Sequence, residues 1–155
     1  MMQKNFLIVF LSVLCFACGE KGELKSSKTI GVSLLTRAHV FYKDLEEGLH
    51  NEAAKHGFEL IITSGDFDLW KQSSQIEDFI TRKVDAIIVC PVDSRGIGPA
   101  IRKANEAKIP VFTADIASQE GDVVCHVASD NVAGGRLAGE YPGKILLVSS
   151  YVRSN

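Results

Sequence analysis

Aromatic, hydroxyl and carboxylate side chains are concentrated in the loops that follow four short apolar runs of this 155-residue chain. This mixture suits a sugar, because an aromatic face packs on the C–H side of a sugar ring while carboxylates and imidazoles exchange hydrogen bonds with its hydroxyls. It does not suit a phosphate, since Gly96-Ile97-Gly98 is followed by Ile101 where a dinucleotide fingerprint needs a third glycine. The four loops are Thr36–Tyr42, Ser64–Asp68, Pro91–Ser94 and Asp115–Ser118.

The elements that must position these loops follow from the hydrophobic pattern. Short apolar runs predict buried strands, and apolar residues spaced three or four apart predict amphipathic helices between them. Gly57 is typical of the end of the first helix. Alternating strands and helices predict an α/β fold, a doubly wound parallel sheet whose ligand lies at the carboxyl ends of the strands. The predicted strands are Ile30–Leu35, Phe58–Ile62, Ala86–Cys90 and Pro110–Ala114, and the helices are marked by Leu45, Leu49 and Ala53, by Ile76, Phe79 and Ile80, and by Ile97, Ile101 and Ala104.

Composition narrows the class of protein. The chain is 46% hydrophobic and 23% charged, which is ordinary for a globular domain. Lys and Arg number 17 against 19 Asp and Glu, so no basic excess is available for nucleic acid. No apolar run reaches the roughly 18 to 20 residues that cross a bilayer, which excludes a polytopic membrane protein.

The N-terminus indicates export. Lys4 precedes the apolar run Phe6–Phe16, which has the length of a signal-peptide core, and residues 1–17 are predicted to be that signal. Ala17-Cys18-Gly19 resembles a bacterial lipobox, so we expect Cys18 to carry a lipid that makes the only membrane contact. Residues 18–28 are then a polar tether. An ordinary secretory signal, or an apolar segment that stays attached, is the alternative.

Catalytic and metal-binding patterns are not found. The chain has no Gly-x-Ser-x-Gly turn and no clear carboxylate pair, which favours binding without enzymatic chemistry. His50, His56 and His126 do not have the spacing of metal ligands, so we expect neither metal nor cofactor. Cys90 and Cys125 are either separate thiols or a disulfide pair.

Three segments, in their order and spacing, resemble a known family. These are Val84–Ile88, Ala104–Val111 and His126–Asn131, within a resemblance that extends over Ile30–Tyr141. They are similar to the ribose-type periplasmic sugar-binding proteins of ATP-binding cassette importers, which are related to the sensor domains of lactose-repressor-type regulators. The resemblance implies an N-terminal lobe that binds a pentose or hexose outside the cytoplasmic membrane and delivers it to a membrane permease.

The resemblance also implies roles for single residues. His39, Phe41 and Tyr42 match a polar residue and two aromatics that contact the sugar, and Asp115 matches an aspartate that accepts its hydroxyls. Val40 and Ile116 replace residues common in the family, so the resemblance does not identify which sugar is bound. From the residues alone, Arg37, Asp93 and Asp66 are weaker binding candidates, and Trp70 is expected to pack between helix and sheet.

The last part of the chain resembles the start of a second lobe. Asp130 and Asn131 match the first crossing between lobes and are expected to act as a hinge. A helix is predicted over Val132–Tyr141, and Lys144–Val148 resembles the first strand of the second lobe. The expected division is therefore 29–130 for the first lobe and 131–155 for the beginning of a second lobe that is essentially missing.

Two other functions remain open at this stage. The same fold serves a sensor that presents a sugar to a membrane receptor, and it serves the ligand-binding domain of a lactose-repressor-type regulator. The second would need an N-terminal helix-turn-helix where the export signal lies. Whether a chain with one lobe folds and binds sugar is also open.

Overall fold

The computed structural model describes residues 27–153, with side chains described up to residue 142. The predicted signal of residues 1–17, Cys18 and most of the tether lie outside the described residues. Within 27–153, no helix combines the length and the apolar character needed to cross a membrane.

One sheet of five parallel strands forms the centre of the fold. The strands are β1 (Thr29–Leu34), β2 (Glu59–Ser64), β3 (Ala86–Val89), β4 (Val111–Ala114) and β5 (Cys125–Val127). Their order across the sheet is β2-β1-β3-β4-β5. The first four confirm the strands predicted from the apolar runs, and their alternation with helices confirms the doubly wound α/β fold.

Four helices accompany the sheet, and their ends have local causes. Gly57 closes the first helix with φ 68°, a left-handed conformation that favours glycine. Asp68 begins the second, where its carboxylate accepts the backbone N–H groups of Trp70 and Lys71. The helices are α1 (Val40–His56), α2 (Leu69–Thr81), α3 (Gly98–Glu106) and α4 (Asn131–Arg153).

The sheet has two differently packed faces. On the face covered by α2 and α3, Phe79, Ile87 and Ile101 are fully buried. Gly31 lies under Phe79 so closely that a Cβ would stand 2.6 Å from the ring, so β1 needs glycine there. On the other face, α1 packs against β1 through Tyr42 and through partly buried side chains such as Leu49.

Two features of the C-terminal part differ from the predictions. β5 was not predicted, because its three residues are all exposed and show no burial pattern. The strand expected at Lys144–Val148 is wrong, because these residues continue α4 beyond Pro142. A lone strand leaves its backbone groups without partners, whereas a helix pairs most of them internally.

Candidate functional site

The candidate residues gather at the carboxyl edge of the sheet. β1 lies between β2 and β3, so the crossovers after β1 and β3 leave on opposite faces at this point. The loops after β1, β3 and β4 therefore open beside each other. Ligands of open α/β sheets bind in the crevice beyond such a switch point.

The loop after β1 presents His39 and Phe41. His39 is exposed and caps α1, where its Nδ1 accepts the backbone N–H of Phe41 at 3.2 Å. Thr36 is buried, and its hydroxyl accepts the N–H of Ala38 at 3.1 Å. His39 thus supplies a missing partner to the first helical turn, and Thr36 fixes the loop that leads into it.

Phe41 and Tyr42 lie edge to face and differ in exposure. Their ring centroids are 5.0 Å apart with an interplanar angle of 88°. Phe41 is 39% exposed, whereas Tyr42 is only 6% exposed and packs into the core. Phe41 is therefore the ring that is open to a ligand, and Tyr42 supports it from below.

Asp115 is held at the same edge by Tyr42. The Tyr42 hydroxyl donates to Asp115 Oδ2 at 2.6 Å, and the backbone N–H of Asp115 donates to Val127 O at 2.9 Å. Asp115 has φ 66°, an unusual conformation for a residue with a side chain and one that is common at functional sites. The half-buried carboxylate has acceptor capacity beyond the Tyr42 bond.

Burial and the charge of Asp115 raise the pKa values of two neighbouring side chains, Tyr42 and Cys90. Burial raises the pKa of the Tyr42 hydroxyl well above its ordinary value, and the hydrogen bond to Asp115 and its charge add to this. Burial, with the charge of Asp115, raises the pKa of the Cys90 thiol to about 12. Both groups therefore stay protonated at neutral pH, and Tyr42 remains a donor to Asp115.

Arg37 and Asp93 lie in the edge loops but already have partners. Arg37 forms a bidentate pair with Glu46, with distances of 2.9 and 2.7 Å, and Nη2 also donates to Ile62 O. The exposed Asp93 accepts the backbone N–H groups of Gly96 and Arg95 at 2.6 and 2.8 Å, which lowers the pKa of its carboxyl. Asp93 therefore remains an anion at neutral pH and is the more available of the two to a ligand.

The predicted hinge pair lies at the start of α4. Asp130 Oδ1 accepts the N–H of Ala133 at 2.8 Å, so Asp130 caps the helix that Asn131 begins. The predicted helix start is therefore confirmed. Movement at these residues stays a prediction.

The loop after β2 places an aromatic ring at the edge that the sequence did not single out. Phe67 is 72% exposed, and its backbone N–H donates to Leu35 O at the end of β1. Asp66 and Phe67 both have positive φ, 51° and 64°. Asp66 itself pairs with Lys71 at 2.6 Å. An aromatic residue at a strand end was the available signal for Phe67.

Trp70 was expected to pack between helix and sheet, and this is wrong. The side chain is 85% exposed, because α2 buries the opposite side through Gln72, Ile76 and Phe79. Trp70 instead borders a cavity of about 500 Å³ between α2 and α3, away from Asp115. The fully buried amide of Gln72 was not singled out from the sequence either.

Cys90 and Cys125 are free thiols, buried and exposed respectively, so they form no disulfide with each other. Among the described residues, no three His, Cys, Asp or Glu side chains are grouped so that they could hold a metal ion.

Comparison with known proteins relates the sequence to a defined family. The family described as "Periplasmic binding protein domain" matches residues 30–147. The ribose import binding protein RbsB of Salmonella typhimurium is 33% identical over 92% of this chain and 48% of its own length. The ribose import binding protein RbsB of Bacillus subtilis is 40% identical over 76% of this chain and 38% of its own.

Solved structures give the same relation. The Caulobacter myo-inositol binding protein superposes with a TM-score of 0.69 and 27% identity, over 76% of this chain and 40% of that one. The periplasmic component of the arabinose transporter of Shewanella has a TM-score of 0.72 and 28% identity, over 77% and 41%.

The chain thus spans about half or less of the length of these curated relatives, and its fold corresponds to one lobe of the solved structures. The relatives are named as binding proteins, which agrees with the absence of a predicted enzymatic pattern. With a family match over 118 of 155 residues, from 30 to 147, this chain belongs to the periplasmic binding protein family.

Proposed function

We propose that this chain forms one wall of a binding site for a pentose or hexose outside the cytoplasmic membrane, and that the bound sugar is delivered to the permease of an ATP-binding cassette importer. The observation that carries the proposal is the Asp115 carboxylate, held 2.6 Å from the Tyr42 hydroxyl beside the half-exposed ring of Phe41. A fixed acceptor next to an aromatic face matches a ring with hydroxyls on its rim.

Each side chain of the proposed wall has a definite part. The open face of Phe41 packs on the C–H side of the sugar, and Asp115 accepts one or two of its hydroxyls. Tyr42 holds Asp115 in place, while His39 and Asp93 offer polar groups from the neighbouring loops. Arg37 contributes only if it leaves Glu46. A second wall would face this one across the crevice, and Asp130 and Asn131 would be the hinge between them.

The names of the relatives support a sugar or a sugar-like ligand, but they do not identify which one this chain binds. Relatives are named for ribose, for xylitol and for galactofuranose. Val40 and Ile116 at the edge set the shape that distinguishes such ligands. We infer that the polar contacts to Asp115 are common to the group, and that the apolar side chains next to them select the sugar.

The experiment is isothermal titration of the full 155-residue chain, purified in mild detergent, with a panel of pentoses and hexoses that includes D-ribose. Detectable heat with one sugar is expected, and Phe41→Ala should weaken that binding by at least about tenfold. Trp70→Ala is the matched control, because it removes an exposed aromatic ring away from Asp115. Equal losses in the two variants would overturn the site, and no heat with any sugar would overturn the proposed function of this chain.

Anchoring to the membrane is a separate part of the proposal. Periplasmic binding proteins act outside the cytoplasmic membrane, and we infer that Cys18 holds this one at the membrane surface through a lipid. Cys18→Ala should move the folded protein from the membrane fraction to the soluble fraction of a cell envelope preparation. The same distribution in both would contradict a lipid at Cys18.

A further inference from the structure

A buried side-chain amide on α2 joins the ends of two strands and the loop beyond them. Gln72 is fully buried, and its Nε2 donates to Ser33 Oγ at 3.2 Å and to Cys90 O at 3.0 Å. Its Oε1 accepts the backbone N–H of Val92 at 2.9 Å. The amide therefore has partners on β1, just after β3, and in the loop that follows β3.

These bonds lie where the sheet stops providing partners. The Cys90 N–H still donates to Ser33 O at 2.8 Å, but Pro91 has no N–H and is buried. The Cys90 carbonyl and the Val92 N–H on either side of Pro91 both bond to Gln72. A buried peptide group without a partner is strongly unfavourable, so Gln72 determines the path of the chain at this point.

A second amide extends the arrangement to β2. Ser33 Oγ donates to Gln75 Oε1 at 2.8 Å, and Gln75 Nε2 donates to Ser64 O at 2.8 Å. Gln72 and Gln75 are three residues apart and so lie on the same face of α2. Together they connect the carboxyl ends of β2, β1 and β3, the edge from which the candidate loops leave.

We propose that Gln72 is a positioning residue for the sugar site: by holding the Cys90 carbonyl and the Val92 N–H, it fixes the turn that presents Asp93 to the ligand. Gln72 itself does not touch the sugar. Asp93 follows Val92 directly and completes the turn by accepting the N–H groups of Arg95 and Gly96. The inference rests on the proposed function, since Asp93 matters to a ligand only if the edge binds one.

The test replaces Gln72 by methionine, which has a similar length and cannot form these hydrogen bonds. Residue-resolved amide hydrogen exchange in the full chain is expected to show the Val92 N–H exchanging at least about tenfold faster than global destabilisation explains. The control is Ile76→Val, one turn along the buried side of α2, which lowers stability without removing a hydrogen bond. In the control all slow amides should accelerate together.

Binding supplies the second measurement, with D-ribose as the probe, or the panel sugar that binds best. Gln72→Met is expected to raise the Kd at least about tenfold, and Ile76→Val to leave it within about twofold. If Gln72→Met does not fold, Gln72→Asn takes its place, because it keeps the amide but is one methylene too short to reach all three partners. Partial release of the Val92 N–H is then expected.

The outcomes separate the two proposals. Val92 exchange that merely follows global stability overturns the inference, and so does faster Val92 exchange with unchanged sugar affinity. If the unsubstituted chain binds none of the sugars, the proposed function fails. The exchange comparison then decides by itself whether Gln72 fixes the turn.

Discussion

The two faces of the sheet are built from the same strands but are packed to different degrees. On the α2–α3 face, Ile76, Phe79 and Ile87 are completely buried. On the α1 face, Val32 and Leu34 are also completely buried, whereas Leu49 of α1 and Ile88 of β3 are only partly buried. Tyr42 and Cys90, the two buried neighbours of Asp115, belong to the α1 face.

Because of this difference, one face mainly stabilises the fold and the other face carries the proposed ligand site. The α2–α3 face buries more apolar side chains than the α1 face, and hydrophobic stabilisation scales with the apolar area removed from water. The more open face can then accommodate polar groups such as Asp115, whose full burial would be costly. We infer that the α2–α3 face holds the sheet rigid so that the α1 face can keep a partly hydrated site at its edge.

The largest expected effect is on the free energy of unfolding when either of two neighbouring isoleucines of β3 is replaced. Their side chains lie on opposite faces of the sheet. Ile87→Ala should lower the free energy of unfolding by about 4 kcal/mol, because it leaves a cavity in the closed face. Ile88→Ala should cost about 2 kcal/mol, since that side chain is already partly exposed and its surroundings can relax. Urea unfolding of the two variants measures the difference. Equal losses would contradict the contrast between the faces.

The second effect concerns the reactivity of two thiols. Cys90 is buried with its pKa raised to about 12, so its thiolate fraction is about 1000-fold below that of an ordinary cysteine. Cys125 is exposed on β5. Peptide-resolved alkylation at pH 8 should therefore modify the exposed Cys125 much faster than the buried Cys90, by at least about 100-fold. In urea the two rates should converge, and similar rates in the folded protein would show that the α1 face is open down to Cys90.

Much of this fold was predictable because burial leaves a pattern in the sequence. The first four strands and the first three helices follow from apolar spacing, and Gly57 marks a helix end by its conformational freedom. β5 was missed because its three residues are exposed, so pairing with β4 rather than burial defines it. The continuation of α4 over Lys144–Val148 was missed because the strand expected there rested on a resemblance to the second lobe, and a short apolar run fits a helix equally well.

The sequence was sufficient to predict which residue types line the candidate site. It was not sufficient to predict which side chains contact each other there. Aromatic and acidic residues after strand ends indicated the edge at which Phe41, Tyr42 and Asp115 come together. The bond from Tyr42 to Asp115 joins residues 73 apart, and the bond from Gln72 to Ser33 joins residues 39 apart. Such pairings depend on how the helices pack, and a single sequence contains no local signal for them. Trp70 was misplaced for the same reason, since the side of α2 that packs is set by the sheet.

A smaller effect is expected from the polar contact within the α1 face. Tyr42→Phe removes the donor to Asp115 and should lower the free energy of unfolding by about 1–2 kcal/mol. Because the folded state raises the Tyr42 pKa, this stabilisation is complete below about pH 10 and falls at higher pH. Urea unfolding at pH 7 and near pH 10.5 measures both, and a pH-independent difference would contradict the role of the hydroxyl proton.

The smallest expected effect lies at the exposed edge, where Asp93 accepts two backbone N–H groups. These bonds lower the pKa of its carboxyl in the folded state, so they stabilise the fold at pH values above the ordinary pKa of aspartate. The contribution should disappear as the pH falls below about 4, through the lowered folded-state pKa. Asp93→Asn should therefore be less stable than the unsubstituted chain at pH 7, and the gap should narrow on acidification.

Asp44→Asn, which removes the same charge from the exposed surface of α1, controls for net charge in these urea titrations. If the Asp93→Asn gap stays constant from pH 7 to pH 3, the anion does not stabilise the turn after β3. The turn would then depend on Gln72 alone, and the edge would be held entirely from the closed face. A narrowing gap would mean that the edge is fixed from both sides, from within by a buried amide and from the solvent side by a carboxylate that is still able to accept a ligand.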